Sequence, residues 1–214
     1  IIFGDDFTCP LSNSLNNLKS LTHIDFGCWF NFPLGDALNN CTALTHIIFS
    51  YNFNYPLGDY LNNCLSLTHI SFGYYFSQTL TDSLNNCTSL TYIGLDYKFN
   101  QKLDLPHNIN SMYVNSCNAF YIDYLPDTVE ELKLGPDFNL ELDNLPSTIK
   151  KIIFDKNSFY NKKLNCLPDG LSILELPIKY DKQINSIPSA LSKLICSANY
   201  KFIEDFSGVQ VETY

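Results

Sequence analysis

The sequence predicts a solenoid: a curved parallel sheet of about ten short strands, one per coil, with a mostly non-helical or short-helical convex side. Three observations point there. The segment "LNNCTALTHIIF" at 38–49 returns as "LNNCLSLTHISF" at 61–72 and as "LNNCTSLTYIGL" at 84–95, a fixed step of 23 residues. An apolar triplet of the form apolar-x-x-apolar-x-apolar runs the length of the chain. An aromatic residue follows most of these triplets at a nearly constant offset.

The triplets set the strands. They fall at Leu21/Ile24/Phe26, Leu44/Ile47/Phe49, Leu67/Ile70/Phe72 and Leu90/Ile93/Leu95 with a step of 23. They continue at Ile109/Met112/Val114, Val129/Leu132/Leu134, Ile149/Ile152/Phe154, Leu171/Leu174/Leu176 and Leu191/Leu194/Cys196 with steps of 19 to 22. A partial copy stands at Ile1/Phe3 and a shortened one at Phe206/Val209/Val211. Periods of about 20 to 29 residues around an L-x-x-L-x-L core mark a leucine-rich repeat, so the fold class expected is a leucine-rich-repeat solenoid. The second and third apolar positions lie two apart and point one way from a strand, while the residues between and beside them point the other.

The return arcs come in two forms. Through residue 104 they read like "PLGDALNNCTA", which suits a short helical turn ending near the Asn pair. From 105 they shorten to "LPHNI", "LPDTV", "LPSTI", "LPDGL" and "IPSAL", where proline holds a turn and keeps the residue before it out of a helix. A single domain over 1–214 is expected, with 23-residue repeats over 1–104, LP repeats over 105–214 and a change of bend where they meet. The aromatic position, filled by Phe7, Phe30, Phe53, Phe76, Phe99 and Phe138, then by Tyr180 and Tyr200 with Phe159 displaced by one, predicts rings stacked inside the arc as a structural spine.

Composition narrows the function. Of 214 residues, 45% are apolar and 16% charged, the balance of a folded domain. The net charge is −9 and all 13 basic residues are lysine. Nucleic acid is excluded as the main ligand, because it needs a clustered basic footprint and favours the arginine fork. No apolar run reaches the roughly 18 residues of a membrane span, so no membrane insertion is expected. The chain starts in mid-repeat at "IIFGDDF" without Met, from which an upstream segment is expected. The setting expected is intracellular, the cytoplasm of the host or source cell, or else a virion. Of eight cysteines, Cys41, Cys64 and Cys87 stand at the repeat distance of 23, unlike a C-x2-C clamp. Buried reduced thiols are the expectation, a disulfide or a metal the alternative.

With "FNYPL", "KFNQKLDLP" and "DFNLELDNLPSTIKKIIF" in view, the chain resembles the FNIP-repeat family, leucine-rich repeats built on an F-N-x-x-L…L-P core and abundant in social amoebae and giant DNA viruses. The likeness is strongest over 98–195. "CNAFYIDYLP" at 117–126 departs from it by lacking the Phe-Asn pair, and "KYDKQINSIP" has Tyr180-Asp181 in that place. Members often carry an F-box, so the resemblance implies the substrate-recognition part of a ubiquitin-ligase adaptor, with the F-box itself outside these residues. The first half is also similar to the surface-antigen type of leucine-rich repeat, through "NNCTSLTYI", which implies adhesion.

Candidate binding residues lie on the strand face turned from the core. His23, His46 and His69 form one column ended by Tyr92 and continued by Lys151. A second holds Asp25, Ile48, Ser71, Tyr113, Lys133, Ile153 and Glu175. These columns vary between repeats while the core positions do not, as a recognition face requires. Stacked imidazoles would repel as they protonate, so mild acid is expected to weaken this edge. Beyond the strands comes an aromatic flank of Trp29, Phe32, Tyr51, Tyr55, Tyr74, Tyr75 and Tyr97, residue types that concentrate interface energy. The Asn pairs of "LNN" suit hydrogen bonds to exposed backbone.

No Ser/His/acid set, phosphate loop or paired Cys clamp stands outside the repeat, so no enzyme, metal or cofactor is expected. The leading expectation is a non-enzymatic scaffold that binds another protein through the concave sheet and aromatic flank. The alternatives are a structural protein of a virus particle or other assembly, and a surface adhesion or glycan-binding module.

Overall fold

The apolar triplets become strands. In a computed structural model that describes residues 1–116 and 120–214, ten short strands appear in chain order: β1 (His23–Asp25), β2 (His46–Ile48), β3 (His69–Ser71), β4 (Tyr92–Leu95), β5 (Ser111–Val114), β6 (Glu131–Leu134), β7 (Lys151–Phe154), β8 (Ile173–Glu175), β9 (Lys193–Cys196) and β10 (Gln210–Thr213). Cys117 and the start of "CNAFYIDYLP" lie outside the described residues. Ile1–Ile109 forms one compact unit, with β1 to β4, and Asn110–Tyr214 another, with β5 to β10.

Within each unit every strand pairs in parallel with the next at identical repeat positions. His23 faces His46, His46 faces His69 and His69 faces Tyr92; in the second unit Ser111, Glu131, Lys151, Ile173, Lys193 and Gln210 follow one another in the same way. A shared acceptor sets this register. The amides of Thr45 and His46 both donate to the Thr22 carbonyl, at 2.8 and 3.0 Å, and the fork recurs at Thr68/His69, Thr91/Tyr92, Glu130/Glu131, Lys150/Lys151, Ser172/Ile173 and Ser192/Lys193. A slip by one residue would turn every apolar side chain outward.

The core is a set of rows. Ile24, Ile47, Ile70 and Ile93 run beside Phe26, Phe49, Phe72 and Leu95, all buried. Four residues after that second row come Phe30, Phe53, Phe76 and Phe99, each 0% exposed. Rings of the two rows stack within a coil at 4.0 to 4.7 Å, and down the outer row at 6.1 Å. Each ring contributes about 1.5–3 kcal/mol by burial and on the order of 1 kcal/mol more from its ring contacts. In the second unit the row continues through Phe138, Tyr160, Tyr180 and Tyr200 at 6.0 to 6.1 Å. Here the structure corrects the sequence reading: Tyr160, not Phe159, is the rung, and Phe159 stands 69% exposed. The step from Ile149 to Leu171 is 22 residues rather than 20. The added length carries the chain past Ser158, which is itself buried, before the next ring turns inward.

The return arcs are chains of tight turns. In the first unit successive i+3 to i bonds run from Ala37 to Leu34, Asn39 to Asp36, Cys41 to Leu38 and Leu44 to Cys41. In that unit only Gly35–Leu38 is regular enough to form a 3-10 helix; among the described residues the second unit has two, Phe120–Tyr124 and Ile203–Asp205. In the second unit Val129, Ile149, Leu171 and Leu191 donate to the carbonyls of Pro126, Pro146, Pro168 and Pro188. Cys41 and these prolines therefore hold one and the same place, three residues before the first apolar residue of the triplet. Cys41, Cys64 and Cys87 are free and buried, and each thiol points at a leucine carbonyl one coil back, at 3.4 to 4.0 Å. Burial pushes the Cys64 thiol up to about 12 and the Cys87 thiol up to about 11.

The Phe-Asn pair also has a physical reason. Phe fills the buried row, and the next residue's side-chain oxygen accepts the amide of its counterpart one coil on: Asn31 from Asn54, Asn54 from Ser77 and Asn139 from Asn161, at 3.0 to 3.1 Å. Where tyrosine replaces phenylalanine the hydroxyl needs a partner. Tyr180 donates to the Lys162 carbonyl and Tyr200 to that of Lys182, but the Tyr160 hydroxyl is buried without one.

Candidate functional site

The outward columns of the two units differ in chemistry. In the first, His23 and His46 stack at 4.2 Å, His46 and His69 at 4.3 Å, and His69 meets the Tyr92 ring at 5.4 Å. The preceding threonines choose the tautomer. Thr45 and Thr68 donate their hydroxyl protons to the carbonyls of Thr22 and Thr45, so each hydroxyl oxygen is left to accept from Nδ1–H of His46 and His69, at 2.9 Å. His46 and His69 thus each carry a proton on Nδ1. Burial, then the His69 and His23 charges, hold His46 below its ordinary pKa.

Beside this column lie Asp25, Ile48, Ser71 and Gly94. Asp25 is half-buried, with Oδ1 accepting the Gly27 amide, while Ile48 is 48% exposed. Gly94 keeps the surface low, since a Cβ there would come within 2.9 Å of the Ser71 hydroxyl.

The second unit's face is charge-paired. Glu131 holds Lys133 at 2.9 Å and Lys151 at 3.3 Å, and Lys193 meets Glu212 at 2.8 Å. Although burial raises it, the Lys133 bond and the charges of Lys133 and Lys151 hold the Glu131 carboxyl below its usual range. Glu175 accepts from the Tyr214 hydroxyl at 2.7 Å. Of the candidates here, Tyr113 and Ile153 are half-buried uncharged surface, and the two lysines and Glu175 already have partners. Such exposed pairs contribute about 0–1 kcal/mol each.

The aromatic flank is split by the fold. Tyr51, Tyr74 and Tyr97 stack at 4.9 Å per coil, and Tyr75 stands edge-on to Tyr51 and Tyr74 at interplanar angles of 86° and 72°. Trp29 joins this side, 56% exposed. Phe32 and Tyr55 do not: they follow the buried Phe30 and Phe53 by two residues and occupy a separate column, where Phe32 leans on Phe30 at 6.1 Å. Two members of the flank escaped the sequence reading, Asn52 and Lys98. Asn52 donates its side-chain amide to the Cys28 carbonyl, and the Lys98 ammonium lies 5.2 Å from the Tyr97 ring centre and 5.9 Å from that of Tyr74. The 23-residue step was the available signal, since both share the position of Trp29 and Tyr75.

Among the described residues no group of three or more His, Cys, Asp or Glu side chains is placed to hold a metal ion, and no helix is long and apolar enough to cross a membrane.

Parallel strands at identical repeat positions, one per coil, define a leucine-rich-repeat solenoid. The solved structure of CroV588, a novel circular LRR protein, has a similar fold: the match covers all of this chain at a TM-score of 0.56 and 21% identity. The chain spans 43% of the length of that protein. More particularly, the FNIP Repeat model matches residues 99–135 and 118–157 of the chain. Among curated proteins no sequence relative matches.

Proposed function

We infer that the chain is a non-enzymatic scaffold that binds another protein through the strand face and aromatic flank of its first unit, as the recognition part of a larger adaptor. One observation carries this reading. Trp29, Ile48, Tyr51 and Tyr75 are 44 to 56% exposed together on neighbouring columns of Ile1–Ile109, outside the buried apolar rows. Exposed aromatic clusters on a rigid frame are what binding surfaces use. The paired charges of the second unit's face favour the first unit as the contact.

The test replaces Trp29, Tyr51 and Tyr74 together by Ser and compares partner capture by quantitative affinity purification with that of the unaltered chain. Loss of the specifically enriched partner, with a melting temperature lowered by less than about 5 °C, supports the reading. Retention of every partner removes it. Tyr75→Ser alone, on an exposed ring, is the control should the triple variant unfold.

A further inference from the structure

We propose that the flank of Ile1–Ile109 takes a proline-rich segment of a partner, bound as a polyproline II helix with a basic residue over Asp6. This rests on the scaffold reading and names the kind of segment the scaffold would take. Backbone bonds put Asp6, Trp29, Asn52, Tyr75 and Lys98 at one position of five successive coils. The amides of Trp29, Asn52, Tyr75 and Lys98 donate, at 3.0 to 3.2 Å, to the carbonyls of Asp5, Cys28, Tyr51 and Tyr74 one coil back.

The row alternates large, small, large. Trp29 and Tyr75 are exposed, and Asn52 between them is half-buried, tied down by its bond to the Cys28 carbonyl. With coils 4.9 Å apart in the adjoining tyrosine stack, the two aromatic stations repeat at about 9.8 Å, close to the roughly 9.3 Å that a polyproline II helix advances in three residues. The same face of such a ligand therefore returns at each aromatic wall and spans the Asn52 gap between them. An α-helix, advancing about 5.4 Å per turn, would set a turn near the gap instead.

The backbone of a polyproline II helix makes no internal hydrogen bonds, so its carbonyls are open to donors. The Trp29 indole N–H, unbonded among the described residues, is one such donor. Tyr51 and Tyr74 brace Tyr75 edge-on, which keeps the wall in place before binding. Charge gives the direction. Asp5 and Asp6 are both exposed at one end of the row, whereas at the other the exposed Lys98 offsets the half-buried Asp96 carboxylate beside the tyrosines, so the complementary ligand carries its cation at the Asp6 end.

Trp29 is the single tryptophan, so its emission reports the site directly. A short synthetic peptide with a Pro-x-x-Pro core and a lysine at one end is titrated against the purified chain, beside its Pro→Ala counterpart. The expected result is a saturable change in Trp29 emission with the first peptide only, weakened about tenfold by Tyr75→Ser. Asp6→Asn, an exposed substitution, should weaken binding at low salt and matter less at high salt. No saturation, an equal response to the alanine peptide, or indifference to both variants overturns the proposal. If the peptide is ignored while the Trp29/Tyr51/Tyr74 serine variant still loses its partner, the scaffold reading stands and the proline-rich ligand is wrong.

Discussion

A ring in the buried row and a ring beside it have opposite consequences. Phe53 is 0% exposed and touches Phe30, Phe49 and Phe76, so Phe53→Ala should cost about 3–5 kcal/mol, whereas Phe159→Ala, at an exposed ring, should cost under about 0.5 kcal/mol in urea unfolding. Tyr160→Phe removes a buried hydroxyl with no partner and should be neutral or stabilising by about 1 kcal/mol. Tyr200→Phe loses the 2.8 Å bond to the Lys182 carbonyl and should cost about 1 kcal/mol. The histidine stack sets a pH dependence. Because His46 in the folded chain sits below its ordinary value, the unfolded chain binds the proton more readily, and stability is full above about pH 6.5 and falls as pH drops through that value toward the lowered one. Solvent screening keeps the effect under about 1 kcal/mol. Thermal melts from about pH 7.5 down to 5.5 should show the loss, and His46→Gln should flatten it.

At the scale of the element, the coil closes through backbone approach as much as through side chains. A Cβ at Gly73 would lie 2.1 Å from the Ser50 carbonyl oxygen of the preceding coil. Gly73→Ala should therefore push β3 and β2 apart and cost at least about 1–3 kcal/mol, while Gly4→Ala, with nothing within 4 Å, should pass almost unnoticed in the same melt. Strand and arc were legible for a common reason: a 23-residue step puts like residues in rows, and His23, His46 and His69 could be placed on one outward column by counting. Phe159 was not, because two added residues can be absorbed on either side of an aromatic pair. Only the closed coil decides which ring turns in.

At the scale of the whole chain, each unit behaves as rows of neighbours rather than as one centre. Within each unit a coil contacts the coils beside it, so stability is carried by local repeat terms and neighbour interfaces. Hydrogen exchange of Phe53→Ala should show faster opening of amides within Ile1–Ile109, with those of Asn110–Tyr214 changed much less. Uniform acceleration through both units would show that they open as one.

Period and residue type, read from the sequence alone, were enough to determine the leucine-rich-repeat class, the strand positions, the phenylalanine rows, the buried cysteine column and the resemblance to FNIP repeats. Each follows from spacing, which a linear chain displays in full. Only the folded structure decided that Glu131 binds Lys133 and Lys151, that Tyr160 rather than Phe159 fills the row, and that Asn52 is tied to the Cys28 carbonyl while Lys98 lies over the Tyr97 ring. Those outcomes depend on which side chains meet across a coil, a distance in space for which the sequence holds no measure.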